Sequence, residues 1–302
     1  MDHRVTAKLH DGEVHIDAGL VRRLLQAQFP EWAGLPLVAA PSTGTVNAIY
    51  RLGDDLCVRL PRVHRWAADL SKELRWLPQL APQLPLMVPE PVASGRPSPD
   101  FPLTWAIYRW LPGETWSGGR SGDELGAAAD LAQFVAALRR IDRSGAPRSG
   151  RDRPLSLRDA EARAAIRALR GTVDTDAVTA AWETSLRAPP WDGRPTWTHA
   201  DLLPPNLLVD GTRISAVLDF GNVGVGDPAL DVLPAWSVLG EDGREHYRRT
   251  LDVDDATWVR GRGFALHQAL LIVPYYREIN PTFATMAERT IAQVLVDHVA
   301  GV

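Results

Sequence analysis

The stretch that decides the fold runs from Trp197 to Asp231, WTHADLLPPNLLVDGTRISAVLDFGNVGVGDPALD. His199 and Asp201 open it, and Asn206 follows five residues after the aspartate. Leu207-Leu208-Val209 and Ile214 to Leu218 are apolar runs of strand type, and Asp210-Gly211 between them is a favoured turn pair, so the segment predicts a short hairpin. A hairpin returns the chain to the end from which it started. Asn206, just before the first strand, and Asp219, just after the second, are therefore expected at the same end, and Asp219 begins Asp219-Phe220-Gly221.

The order H-x-D-x-x-x-x-N, hairpin, D-F-G resembles the core of protein kinases. HADLLPPNLLVD followed by VLDFGNVGVGDPALD resembles more closely the aminoglycoside phosphotransferase family, antibiotic kinases with a protein-kinase-like fold. The resemblance implies that Asp201 orients a substrate hydroxyl and accepts its proton, while Asn206 and Asp219 hold the Mg2+ ions that bridge the nucleotide phosphates. An isolated D-F-G or H-x-D is common in ordinary loops; both in order around a hairpin point to phosphoryl transfer. Two departures from the family pattern stand out. Ala200 replaces the usual glycine, and Leu203-Pro204 replaces the His or Ser often found just after the catalytic aspartate. The implied fold class is α+β, two-lobed and protein-kinase-like, with an N-terminal antiparallel sheet lobe (1–108), a hinge (109–113) and a larger, mostly helical C-terminal lobe (114–302).

Within the first lobe, Leu20, Leu24, Leu25 and Phe29 recur at helical spacing. Pro41 to Asn47 reads as a hydroxyl-rich turn into Ala48–Leu52, and its Thr43, Gly44 and Thr45 are candidates for contact with nucleotide phosphates. Strand alternation in Leu56 to Leu60 separates Leu56, Val58 and Leu60 from Cys57 and Arg59. Arg59 stands where a kinase strand carries its phosphate-gripping lysine, and neither Lys8 nor Lys72 is placed to substitute. Glu73, on a helix read from Trp66 to Leu80, occupies the position of that cation's acidic partner. The segment Pro82–Pro102 is turn-like, with Met87-Val88 extended, and Leu103 to Leu111 is a strand. By the resemblance, Cys57 lines the base pocket, Tyr108 lies at its back, and the backbones of Arg109 and Leu111 pair with the purine. That pairing does not separate ATP from GTP.

Beyond the hinge, Ser121 and Glu124 form a capping box, and Leu125, Ala128, Leu131, Val135 and Leu138 mark a core-facing helix. Arg143 to Pro154 reads as a loop; Leu155–Arg170 and Asp176–Arg187 read as helices beside the acceptor site. His199 is expected to brace the loop, Asp227 to cap locally, and Asp231, by the resemblance, to hold the catalytic loop. Glu241, Asp242, Asp254, Asp255 and Glu278 are acids that could face a cationic acceptor, and Glu278, in YYREINP, is the one singled out.

Composition agrees with these readings. The 302 residues can supply two modest cores, and no stretch approaches the ~18 uninterrupted apolar residues of a membrane span. The N-terminal MDHRVTAKLHDGEVHID has no apolar signal core, and the single cysteine, Cys57, fits a reducing cytoplasm. Of the net charge of -4, residues 1–110 contribute +1 and residues 111–302 contribute -5, which favours a cationic small molecule over nucleic acid. Neither a Walker loop nor a G-x-S-x-G elbow is present. The sequence thus predicts an ATP- or GTP-dependent kinase of a small-molecule hydroxyl. An aminoglycoside-like antibiotic, made ineffective by O-phosphorylation, is the expected acceptor; macrolides, peptide antibiotics, homoserine and choline are alternatives. A nucleotide-binding regulator without catalysis is the rival from another class.

Overall fold

The computed structural model describes residues 13–40, 46–64, 67–117 and 124–301. The chain divides into two compact units, Met1–Gln83, Met87–Pro112 and Leu218–Gly221 in the first, and Leu84–Leu86, Gly113–Val217 and Asn222–Val302 in the second.

The first unit opens with helix α1 (Ala18–Gln28), capped by Asp17, whose carboxylate accepts from the Leu20 N–H at 2.7 Å. Its Leu20, Val21, Leu24 and Leu25 are buried. Strands β1 (Leu37–Ala39), β2 (Asn47–Leu52) and β3 (Leu56–Pro61), helix α2 (Ala67–Leu80), and strands β4 (Pro91–Gly95) and β5 (Trp105–Arg109) complete it. The strands form one antiparallel sheet in the order β1-β2-β3-β5-β4. One face buries Tyr50, Val58, Trp105 and Ile107 with the apolar side of α1. Each large side chain so buried contributes about 1.5–3 kcal/mol. Alternation along β3 leaves Cys57 and Arg59 on the other face, where Glu73 of α2 meets Arg59. Besides Met87, which makes a β-bridge, the Pro-rich stretch forms a full strand at Pro91–Gly95. As the outermost strand, β4 can begin with a proline, because an edge tolerates a missing donor.

The second unit contains β6 (Glu114–Thr115), α3 (Glu124–Arg140), α4 (Asp159–Ala168), α5 (Thr175–Arg187), β7 (Thr196–Thr198), β8 (Leu207–Asp210), β9 (Arg213–Val217), β10 (Gly224–Gly226), α6 (Pro234–Ser237), α7 (Glu241–Thr250), α8 (Asp255–Tyr276) and α9 (Pro281–Val299). The expected hairpin is β8–β9, with β6 on its outer edge. Asp210 pairs with Arg213, so the two-residue loop is Gly211-Thr212 rather than Asp210-Gly211, and Gly211 takes the φ of 61° that such a turn demands. Asp130 of α3 fastens the hairpin by accepting from the Ile214 N–H at 3.1 Å and from Arg213 Nε at 2.8 Å.

Two further expectations shift. Leu125 is exposed, and Ala127, Leu131, Phe134, Val135 and Leu138 are the buried residues of α3. Ser121 lies outside the described residues. The helix read at Leu155–Arg170 is a 3-10 turn, Leu155–Arg158, followed by α4. Helix α8, 22 residues long, is buried on all sides, because α4, α5, α9 and the turn at Pro228–Val232 all pack on it. No helix among the described residues is long and apolar enough to cross a membrane.

Candidate active site

In the first unit the strand cation is enclosed. Arg59 Nη1 donates to Glu73 Oε2 at 2.6 Å and Nη2 donates to Asp219 Oδ1 at 3.3 Å. Asn47, oriented with its amide oxygen toward the guanidinium, accepts from Nε at 3.0 Å and from Nη2 at 2.9 Å. The Tyr108 hydroxyl donates to the same Glu73 oxygen at 3.1 Å, and its ring lies under the Arg59 guanidinium at 5.9 Å. Glu73 is fully buried, so this partnership is what makes its charge tolerable. Burial pushes the Glu73 carboxyl up and Asp219 adds to this, while Arg59 and Tyr108 pull it back. Against burial, which would lower it, Glu73 and Asp219 hold the Arg59 guanidinium above its ordinary range. Burial and the charge of Glu73 likewise raise the Tyr108 phenol. All three guanidinium nitrogens are engaged by side chains, and of the five N–H donors one on Nη1 is left for a further acceptor such as a phosphate. Lys72, a cation of α2, donates to the Gly221 carbonyl at 2.9 Å and thereby steadies the D-F-G turn.

Cys57 pairs with Tyr108 across the β3–β5 ladder, and burial pushes its thiol up to about 11, which makes it a packing group rather than a nucleophile. The Arg109 N–H donates to the Glu90 carbonyl at 3.0 Å, so pairing with a base from this residue falls to its own carbonyl. Leu111 is half-buried just beyond β5. Thr43, Gly44 and Thr45 lie outside the described residues.

In the second unit the loop after β7 presents Asp201. Asp231 supports that loop from below, its two oxygens accepting from the His199 N–H at 2.9 Å and the Ala200 N–H at 2.7 Å. Ala200 has a φ of 64°, the left-handed conformation that the family's glycine adopts freely and an alanine adopts at a cost of roughly 1–2 kcal/mol. His199 is fully buried, and its Nδ1 accepts from the Asp201 N–H at 3.3 Å, a bracing contact. Asp227 accepts from the Ala229 N–H at 2.9 Å as a cap, yet it is buried rather than on the surface, gripped by Arg260 Nε at 2.8 Å and Nη2 at 3.2 Å.

The Asp201 carboxylate, 11% exposed, is held asymmetrically. Oδ1 accepts from Gln268 Nε2 at 2.6 Å and from Arg151 Nη2 at 3.1 Å, whereas among the described residues Oδ2 has only Asn222 Nδ2 at 3.5 Å. Asn206 commits its amide nitrogen to the Asp201 carbonyl at 2.9 Å, which leaves its amide oxygen to act as a ligand. An amide oxygen and a carboxylate are hard donors of the kind magnesium takes, so Asn206 and Asp219 each carry chemistry that fits the ion.

Sequence reading missed Arg151, Gln268, Asn222 and Asn47. A signal existed for Gln268: His267-Gln268 is a polar pair inside the apolar run of α8. None existed for Arg151, one of several arginines in a loop. The acids picked out near the C-terminus sit elsewhere. Glu241 and Asp242 occupy the first turn of α7, Asp254 caps α8, and Asp255 pairs with Arg248 at 2.5 Å. Glu278 is exposed in the turn after α8, roughly 15 Å farther along than Gln268. Beside Leu203 and Pro204 lies a narrow crevice walled by Leu233, Ala269, Ile272, Phe283 and Met286. Burial and the Arg158 guanidinium hold His267, next to Gln268, down at about 4, so its ring is neutral near pH 7.

Comparison with known proteins bears on the family and the fold. A model of the phosphotransferase enzyme family matches residues 38–264. A solved GDP complex of wild-type aminoglycoside 2'-phosphotransferase-IIIa superposes with a TM-score of 0.68 at 18% identity, covering 92% of this chain and 98% of that one. Macrolide 2'-phosphotransferase type I gives 0.65 at 19% identity, covering 96% and 99%. The macrolide 2'-phosphotransferase MphH from Brachybacterium faecium gives 0.58 at 22% identity, covering 90% and 97%. A search of curated proteins finds no match.

Proposed function

The chain belongs to the phosphotransferase enzyme family, and on that premise we propose that it transfers the γ-phosphoryl group of ATP or GTP to a hydroxyl of a small antibiotic. The observation that carries this is the uneven environment of Asp201, with Oδ1 taken up by Arg151 and Gln268 and Oδ2 met only by the long Asn222 contact. An acceptor hydroxyl hydrogen-bonded to Oδ2 gives up its proton there as its oxygen attacks the γ-phosphorus. The new O–P bond forms as the bond to the bridging oxygen breaks, and the nucleoside diphosphate leaves with the electron pair. Asn206 and Asp219 are the proposed Mg2+ ligands; when bound, the ion neutralises charge on the phosphate oxygens. Arg59, oriented by Glu73, Tyr108 and Asn47, holds Asp219 in place. A cytoplasmic setting, where nucleoside triphosphates are abundant, belongs to the same reading.

Aminoglycosides are the acceptors suggested by the sequence resemblance. A second reading within the same chemistry is a macrolide-like acceptor. A cation (Arg151) stands beside Asp201, and the five C-terminal acids lie on helix starts or exposed turns. These features suit a less cationic acceptor better than a polycation.

The test is turnover with Mg2+ and ATP or GTP against aminoglycosides, macrolides, peptide antibiotics, homoserine and choline, read as phosphorylated product by mass spectrometry. Resistance profiles of expressing cells provide the parallel readout. Product from a macrolide alone selects the second reading. Nucleotide binding without product from any acceptor replaces both with a non-catalytic regulator.

A further inference from the structure

Resting on the kinase reading, we propose that Arg151 and Gln268 are positioning residues that clamp Oδ1 of Asp201, with Arg151 set by a chain running from the exposed Glu161 through buried His267 and Arg158. The clamp reserves Oδ2 for the acceptor hydroxyl.

Two sets of contacts hold Arg151 where it is. The first fixes its loop to the segment that follows D-F-G. The Val225 N–H donates to the Pro147 carbonyl at 2.8 Å, the Ser149 N–H to the Val225 carbonyl at 3.0 Å, and the Gly150 N–H to the Asn222 carbonyl at 3.1 Å. Gly224 permits this approach, since a Cβ there would stand 2.5 Å from the Ser149 nitrogen. Loop and strand therefore move as one piece, and Asn222, which faces Oδ2, belongs to that piece.

The second set comes from behind. Arg158 is buried, and its guanidinium donates through Nη2 to the Arg151 carbonyl and through Nε to the Arg153 carbonyl at 3.0 Å. Its Nη1 lies 3.3 Å from His267 Nδ1, and His267 Nε2 lies 3.2 Å from Glu161 Oε2. An arginine only donates, so Nδ1 must be the acceptor and Nε2 must carry the proton directed at Glu161. This tautomer requires a neutral ring, in agreement with the depression of His267 to about 4 by burial and by Arg158. His267 and Gln268 are adjacent on α8, so one helix sets both arms of the clamp, Gln268 directly and Arg151 through Arg158.

A salt bridge serving folding alone would predict something different, and kinetics separate the two. Arg151→Ala should lower kcat roughly 10- to 100-fold, the usual consequence of displacing a reacting group by about 1 Å, with nucleotide Kd and Tm unchanged. Added guanidinium should restore part of that loss, and Arg151→Lys should fall between, since a single ammonium lacks the planar fork. Gln268→Ala should act in the same direction, and His267→Phe, which touches no reacting atom, should lower kcat roughly threefold without moving the acceptor KM. Arg151→Ala with wild-type kcat overturns the clamp. So does a loss of kcat that is accompanied by lost nucleotide binding and lowered Tm and is not rescued by guanidinium. A wild-type chain that phosphorylates no acceptor overturns the kinase reading and the clamp with it.

Discussion

Arg59 in the first unit and Asp201 in the second are charged groups of opposite sign, held in opposite ways. Arg59 has every nitrogen occupied, by Glu73, Asp219 and Asn47. Asp201 has one oxygen saturated and the other nearly bare. Four of its five N–H donors are spent on neighbours, so Arg59 chiefly organises them. With two carboxylates to one guanidinium, it leaves a surplus of negative charge at Asp219, which a divalent cation would offset. A half-saturated ion is poised to accept a proton from a partner not yet present. The strand cation thus builds a site, and the loop carboxylate is expected to act in one.

Breaking this contrast has its largest expected effect at Asp201. Asp201→Asn keeps the shape and removes the proton acceptor; kcat should fall about a thousandfold while nucleotide Kd, titrated by tryptophan fluorescence, stays within about twofold. Substantial retained turnover would make Asp201 a structural carboxylate like Asp231. Glu73→Gln should act on folding as well as turnover, since it leaves a buried guanidinium short of a counter-charge. A loss of about 3 kcal/mol in urea unfolding is expected, with weakened nucleotide binding. Arg59→Lys should not reproduce the wild type, because one ammonium cannot serve Asn47, Glu73 and Asp219 together. Full activity of that variant would reduce the enclosure to a matter of charge alone.

A subtler distinction is pH dependence, which falls on the second unit through His267. Its pKa of about 4 in the folded protein lies below the ordinary 6.5, so between those values the unfolded chain binds the proton first. The stability it protects is fully present above pH 6.5 and is lost as pH falls toward 4. His267→Phe should flatten the decline in unfolding free energy across that window by on the order of 2 kcal/mol. An unchanged slope would show that the ring is not held neutral by its burial and by Arg158. The smallest expected effect is at the loop backbone. Ala200→Gly relieves a φ of 64° and should stabilise the protein by about 1 kcal/mol, measured as a rise in Tm, with kcat unaltered.

Much of the fold was legible because local chemistry and global structure agreed. Strand alternation placed Val58 and Arg59 on opposite faces, apolar runs around Asp210-Gly211 gave the hairpin, and the position of Glu73 gave the Arg59 partner. The misreadings share a cause. Pro91–Gly95 is a strand because it pairs with β5 at the sheet edge, and Leu125 is exposed because α3 turns that face outward. Each depends on neighbours distant in the chain.

By itself the sequence determined the kind of chemistry, because acids and amides at fixed spacing around a hairpin stay near one another however the rest of the chain folds. Only the tertiary structure decided which groups hold them. Asn47, Arg151 and Gln268 are 12, 50 and 67 residues from the charges they grip. No periodicity spans such distances; the contacts exist because packed strands and helices bring those side chains within hydrogen-bonding reach.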